Sequence, residues 1–188
     1  MSLAWLYSRD TSGEIGGGQP PIMFGVADTR TPEQRRRIMR AVRQRDTGAE
    51  VELRRALHRA GVRGWRCNYK RAPGRPDIAW PALRMCVFVD GAFWHGHPSR
   101  HKPGRSGRYW DEKIASNVAR DRRVDAELAD LGWRVLRVWD FEIHRELPDV
   151  VDAVVTALRG QIALGQFEPA WVDCLPALNE QSRSGGQQ

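Results

Sequence analysis

Two carboxylates in this chain stand where an apolar run meets a loop. Asp77 follows Pro73-Gly74-Arg75-Pro76 and opens the run Ile78-Ala79-Trp80, and the next apolar run ends in Phe88-Val89-Asp90-Gly91. Strand-end acids on neighbouring strands form an oxygen cradle suited to a hard divalent ion such as Mg²⁺. Each acid also has a plain structural use, Asp77 as a turn cap and Asp90 as support for the bend at Gly91. The loop that follows reads Ala92-Phe93-Trp94-His95-Gly96-His97-Pro98. His95 is a candidate general base, because imidazole titrates near neutrality. Exposed rings are costly unless something stacks on them, so Phe93 and Trp94 either fold back onto the core or wedge between bases. Farther along, Trp110, Ile114, Val118, Val124, Leu128 and Leu131 repeat at helical spacing, with Asp121 inside their stripe and Asn117 one turn before it. An inward carboxylate needs a partner. For Asp121 the choices are an ion pair with Arg120 or Arg122, or orientation of His95.

The elements that must hold these groups can be read from caps and periodicity. Thr31-Pro32-Glu33-Gln34 carries a capping-box pattern with Pro at the first helical position, ahead of Arg35, Arg36, Arg37, Arg40 and Arg43 around Ile38, Met39 and Val42. Thr47 and Glu50 form a second box, opening a helix with Ala49, Leu53, Ala56, Leu57 and Ala60 on one face and Gly61 as its stop. Short strands are predicted over 65–69, 77–80 and 83–89, a long helix over 109–131, a buried strand over 133–140 and a closing helix over 148–158. The order α-α-β-β-β-α-β-α predicts an α/β fold, a small mixed sheet with helices on both sides.

The chain has 188 residues, room for one domain with tails: a flexible N-terminal extension over 1–27, a domain over 28–160 and a weakly structured tail over 161–188. Lys and Arg number 30 against 23 Asp and Glu, a formal net charge of +7. Arginine predominates among the cations, which fits a polyanionic partner and equally a GC-rich genome. Cys67, Cys86 and Cys174 show no paired spacing, and Cys86 reads as a core filler. No apolar stretch reaches membrane-spanning length and no signal-peptide order opens the chain, so the expectation is a protein of the reducing cytoplasm, acting at the nucleoid.

Several of these segments together resemble the very short patch repair (Vsr) DNA mismatch endonucleases. They are Arg45-Asp46-Thr47 with Glu50, then Pro73 to Asp77, then Val87 to His97. Tyr109-Trp110 with Lys113, Ile114, Asn117, Arg120 and Asp121, and Leu131 to Val135, complete the set in order. The resemblance runs over about residues 31–158. It implies a restriction-endonuclease-like fold of the PD-(D/E)xK type and a Mg²⁺-dependent nick in one strand of double-stranded DNA beside a T·G mismatch. Such a lesion arises from deaminated 5-methylcytosine, which links the activity to a DNA cytosine methyltransferase. By the same resemblance Asp77 holds the metal together with the backbone carbonyl of Val89. His95 is the catalytic histidine, Asp121 supports it, and Glu50 stands near the metal-bound waters. Phe93, Trp94 and Trp110 intercalate, while Met39 and Arg40 reach the opposite groove. A monomer is expected.

Two departures stand out. Asp90 occupies the place of a catalytic histidine and is a candidate second metal ligand. The family's structural zinc positions hold Ala92, His97, Ser99 and Phe141, so structural zinc is expected to be absent, with Phe141 filling the space by packing. Two alternatives are a site-specific or defence endonuclease acting on matched or modified duplex, and a weakly catalytic mismatch-binding module.

Overall fold

The structure is a computed structural model and describes residues 31, 33–34, 45–105 and 107–164. Thr31 and Gln34 exchange cap bonds, Thr31 N–H donating to Gln34 Oε1 at 2.9 Å and Gln34 N–H to Thr31 Oγ1 at 3.3 Å. The rest of that expected helix, with Met39 and Arg40, lies outside the described residues, as do Cys174 and both expected tails up to 30 and from 165. The capping box at Thr47 opens α1 (Gly48–Arg59), which buries Ala49, Leu53, Ala56 and Leu57 together with Glu50. After it come β1 (Arg66–Cys67), β2 (Ile78–Trp80), a 3₁₀ turn (Pro81–Leu83) and β3 (Met85–Asp90). Next are α2 (Arg108–Asp130), β4 (Arg134–Trp139), α3 (Asp140–Arg145) and α4 (Leu147–Leu164).

The four strands form one sheet in the order β1-β2-β3-β4. The first two pairings are antiparallel and β3 runs parallel to β4, with α2 as the crossover. Alternation along β3 divides two cores. Met85 and Val87 join Leu53, Leu57, Val154 and Leu158 beneath α1 and α4. Cys86 and Phe88 face the other way, with Leu128 of α2. The result is the mixed sheet flanked by helices that the sequence predicts, with Cys86 buried at 0% exposure as a core filler.

Three elements differ from the sequence expectation. The strand at 133–140 stops at Trp139, and Asp140 begins α3, a helix of six residues that is too short to show a period. The closing helix runs on to Leu164 instead of ending at Leu158. Gly160 reads as a stop, yet Gln161 Nε2 donates to Leu83 O at 3.0 Å and Ile162 packs on the core, so tertiary contact outweighs the local signal. Leu131, placed in the buried stripe, is 52% exposed, because the chain turns away at Gly132 with φ +72° just past the helix.

Gly74 is the residue that lets the approach to Asp77 pass close to α2. Its φ is +69°, and a Cβ built there falls 2.4 Å from Val124 Cγ1 and 3.2 Å from the Phe88 ring. Gly74→Ala should therefore combine left-handed strain with overpacking, a loss of about 2–4 kcal/mol. In a thermal melt this should lower Tm by roughly 4 °C or more; an unchanged melt would show that the contact yields freely.

Candidate active site

The site is built from two sets of buried or half-buried acids that approach each other at one end of the central strands β2 and β3. The first set belongs to α1 and the start of β2. Glu50 is 3% exposed. Its Oε1 accepts from Thr47 Oγ1 at 2.9 Å and Thr47 N at 3.3 Å, while its Oε2 accepts from Asp46 N at 2.9 Å and from Arg54 Nη1 at 3.4 Å. Glu50 is thus a cap, and the cap aims a carboxylate at the cleft. Asp77 is joined directly to β3, its Oδ2 accepting from Val89 N at 2.8 Å. That bond brings together the carboxylate and the backbone segment expected to share a metal. Burial pushes the Asp77 carboxyl up to about 6, against the Val89 hydrogen bond; the charges of Glu50 and Asp90 add to the rise and Arg54 opposes it.

The second set lies on the α2 side. His95 Nδ1 is 2.6 Å from Asp121 Oδ2 and 3.4 Å from Asp90 Oδ1. Two carboxylates around one ring nitrogen assign the proton to Nδ1 and leave Nε2 as the lone-pair nitrogen. Asp121 also accepts from Arg120 Nη2 at 3.3 Å. Both partners considered for Asp121, an arginine and His95, are therefore present. Burial tends to raise the Asp121 carboxyl, but the His95 hydrogen bond and the His95, Arg137 and Arg120 charges hold it below the ordinary carboxylate range.

Asp90, considered as a second metal ligand, has a different partner. Arg137 Nη1 donates to both of its oxygens, at 2.9 and 3.0 Å. Arg137 was not singled out in the sequence. The signal was there, since an arginine inside an otherwise apolar strand must meet acids on the face it shares with them. Asn117, noted only for its spacing, donates from Nδ2 to Trp94 O at 3.0 Å and ties the loop to α2. Asp140 also holds the start of the loop, accepting from Ala92 N at 3.2 Å.

The aromatic residues form one cluster. Phe93 and Trp94 are partly exposed, with ring centroids 5.0 Å apart. Trp110 stands 6.3 Å from Phe93 and 5.6 Å from Trp94. It is only 4% exposed, so in this conformation it backs the other two rings instead of presenting a face. Among the described residues its buried Nε1 has no hydrogen-bond partner. The loop is braced further by His101 Nε2 on Asp111 Oδ1 at 2.9 Å. Phe141 packs edge-on against His97 with centroids 5.1 Å apart, and burial lowers the His97 pKa.

Glu50, Asp77, Asp90 and His95 line a single cleft of about 610 Å³. Arg45, Arg75, Lys113 and Arg120 stand on its walls, so cations surround an acidic floor. An oxygen donor whose carboxyl is pushed upward by burial and by neighbouring anions gains from a divalent cation, and in this sense Asp77 with the adjoining Val89 backbone fits one. Ligand atoms of Asp90, His95 and Asp121 also lie within 4.8 Å of one another. Among the described residues no helix is long and apolar enough to cross a membrane.

Residues 27–101 match the family model described as DNA mismatch endonuclease Vsr. The chain is 44% identical over 120 residues to the type II nicking enzyme V.XorIIP of Xanthomonas oryzae pv. oryzae, covering 63% of this chain and 88% of that protein. To the type II nicking enzyme V.NaeI of Lentzea aerocolonigenes it is 42% identical over 131 residues, covering 66% and 76%. To the DNA mismatch endonuclease Vsr of Escherichia coli K12 it is 35% identical over 150 residues, covering 79% and 95%. A relative matched over nearly its whole length, with acids and a histidine gathered in one cleft, decides the matter: the chain belongs to the Vsr family of DNA mismatch endonucleases.

Proposed function

We propose that this protein nicks one strand of duplex DNA beside a T·G mismatch in a Mg²⁺-dependent reaction. As a Vsr-family member it is a DNA endonuclease. The observation that carries the finer reading is the His95–Asp121 pair at 2.6 Å, on the same cleft as the buried Asp77. Asp77 and the Val89 carbonyl would hold the ion, which supplies charge neutralisation at the scissile phosphate. His95 accepts a proton from the attacking water at Nε2, and Asp121 keeps the ring oriented and stabilises the imidazolium that results. Glu50 adds negative charge beside Asp77 and fixes the start of α1. Arg45, Arg75, Lys113 and Arg120 suit the phosphates on either side. Phe93 and Trp94, backed by Trp110, insert at the lesion, where a mispaired step unstacks at lower cost than a paired one. Met39 and Arg40 contact the opposite groove. The relatives named nicking enzymes support a single-strand product. The protein acts as a monomer on sites produced by a cytosine methyltransferase.

The direct test is strand-resolved cleavage of a T·G duplex beside its T·A control, in Mg²⁺ and in EDTA. A Mg²⁺-dependent nick confined to the T strand is expected. Asp77→Asn and His95→Ala should each lower kcat by about 100-fold or more. Equal cutting of both duplexes would replace the mismatch reading with a site-specific nuclease.

The wedge has its own readout. Trp94→Ala should reduce the preference for T·G over T·A duplex by about 5- to 100-fold in competition binding without metal, the range expected for one lost base stack. Unchanged preference would remove Trp94 from recognition.

The buried acid also predicts a stability effect. A carboxyl raised to about 6 costs the metal-free fold stability wherever it must ionise. That cost is full above pH about 6 and disappears below about 4, where folded and unfolded chains both carry the protonated acid. Asp77→Asn should therefore stabilise the metal-free protein by about 1–2 kcal/mol at pH 8, raising Tm by roughly 2–8 °C. The gain should vanish near pH 4; a gain independent of pH would refute the electrostatic origin.

A further inference from the structure

Arg137 has no part in the chemistry described above, yet it is the most heavily paired cation near the cleft. It lies in the middle of β4, with Phe88 as its register partner on β3 and Asp90 two residues farther along the same face. Its guanidinium faces the Phe88 ring at 4.4 Å. Nη1 takes both oxygens of Asp90 at 2.9 and 3.0 Å. Nε reaches both oxygens of Asp125 at 3.0 and 3.1 Å, and Nη2 stands 3.9 Å from Asp121 Oδ1. The side chain is 12% exposed. A buried guanidinium N–H left without its carboxylate is unfavourable, so Asp90 cannot turn to a metal ion without leaving Arg137 Nη1 unpaired, even though Asp125 still holds Nε.

Asp90, His95 and Asp121 have the spacing of a metal-binding set. Among them the positive charge is already supplied by Arg137, and His95 Nδ1 faces the carboxylates of Asp121 and Asp90. We propose that Arg137 is a positioning residue of this centre: it keeps Asp90 beside His95 as its own counter-ion and out of the metal's coordination shell. Asp90 thus differs in role from Asp77 although both acids stand at the same end of the central strands. The proposal rests on the reading of Asp77 as the metal-holding carboxylate, and it deepens that reading by naming which acid the ion does not use.

Mn²⁺ binding to the full-length, DNA-free protein, followed by electron paramagnetic resonance, tests it without recourse to activity. Asp90→Asn should leave the Mn²⁺ Kd unchanged within about twofold, whereas Asp77→Asn should weaken it about tenfold or more. Arg137→Met releases Asp90 and should tighten Mn²⁺ binding at least about threefold or add a second ion, and Asp90→Asn in that background should reverse the gain. An Asp90→Asn protein that loses Mn²⁺ as badly as Asp77→Asn would overturn the proposal, and so would a folded Arg137→Met protein that binds as wild type. Should Arg137→Met fail to fold, the Asp90→Asn and Asp77→Asn pair still decides. If Asp77→Asn binds like wild type, the metal reading of Asp77 falls instead, and Arg137 is judged by the gain in Arg137→Met and its reversal.

Discussion

A guanidinium under a helix has to find carboxylates, and Arg137 finds them on both elements that enclose it. Asp90 comes from β3, Asp125 and Asp121 from α2, and Arg137 itself from β4. Burial would depress the guanidinium's pKa, but the surrounding acids outweigh it and hold the cation firmly charged. The same contacts fix the angle of α2 over the sheet, and that angle sets where Asp121 meets His95. Without a cation here, Asp90 and Asp121 would be two buried anions against one imidazole. The geometry of the His95–Asp121 pair therefore depends on a residue that bonds the acids around it.

Much of this was legible in the chain. An apolar run opened by Asp77 and another closed by Asp90 predicted strand ends, and the structure pairs those strands, Ile78 opposite Val87. The Thr47–Glu50 box predicted a helix start, and its cap bonds are present. Asp121 stood out as a carboxylate in an apolar stripe, and it is buried against His95. What could not be read were properties of pairs. Arg137 looked like an ordinary basic residue until register put it diagonal to Asp90. Asp90 could be placed as a candidate second ligand, but strand position reveals an acid's location and not its pairing with Arg137. Helical spacing placed Trp110 in the buried stripe, and it is 4% exposed; that it would lie beneath Phe93 and Trp94 was a matter of tertiary packing that spacing does not carry. The six-residue α3 and the extension of α4 past Gly160 escaped because tertiary contacts there outweigh weak local signals.

The loop from Gly91 to Gly107 shows how a long irregular segment can be fixed by many small contacts. Its start is pinned by Asp140 and Asn117, its middle by the His97 ring against Trp139 and Phe141, and its end by His101 on Asp111. Gly96, with φ +71°, brings the backbone close to Ile114 and Val118 of α2. None of these contacts is strong alone, and their value lies in acting on one short stretch of chain. They place His95 and the two exposed rings on a common support, so chemistry and recognition share one rigid element.

The parallel pairing of β3 with β4 has a consequence for how the centre is divided along the chain. Asp90, His95, Asp121, Asp125 and Arg137 all belong to one continuous β-α-β stretch, from Met85 to Trp139. Glu50 and Asp77 belong to the stretch before it. The two halves of the centre thus come from successive segments of the chain, joined by the β2–β3 pairing and, at the cleft, by the Asp77–Val89 bond. Within the β-α-β stretch the charge of Asp90 is answered by Arg137, so that pairing is settled inside one segment. A change confined to the β-α-β stretch would therefore alter the surroundings of His95 while leaving the backbone that carries Glu50 and Asp77 as it is.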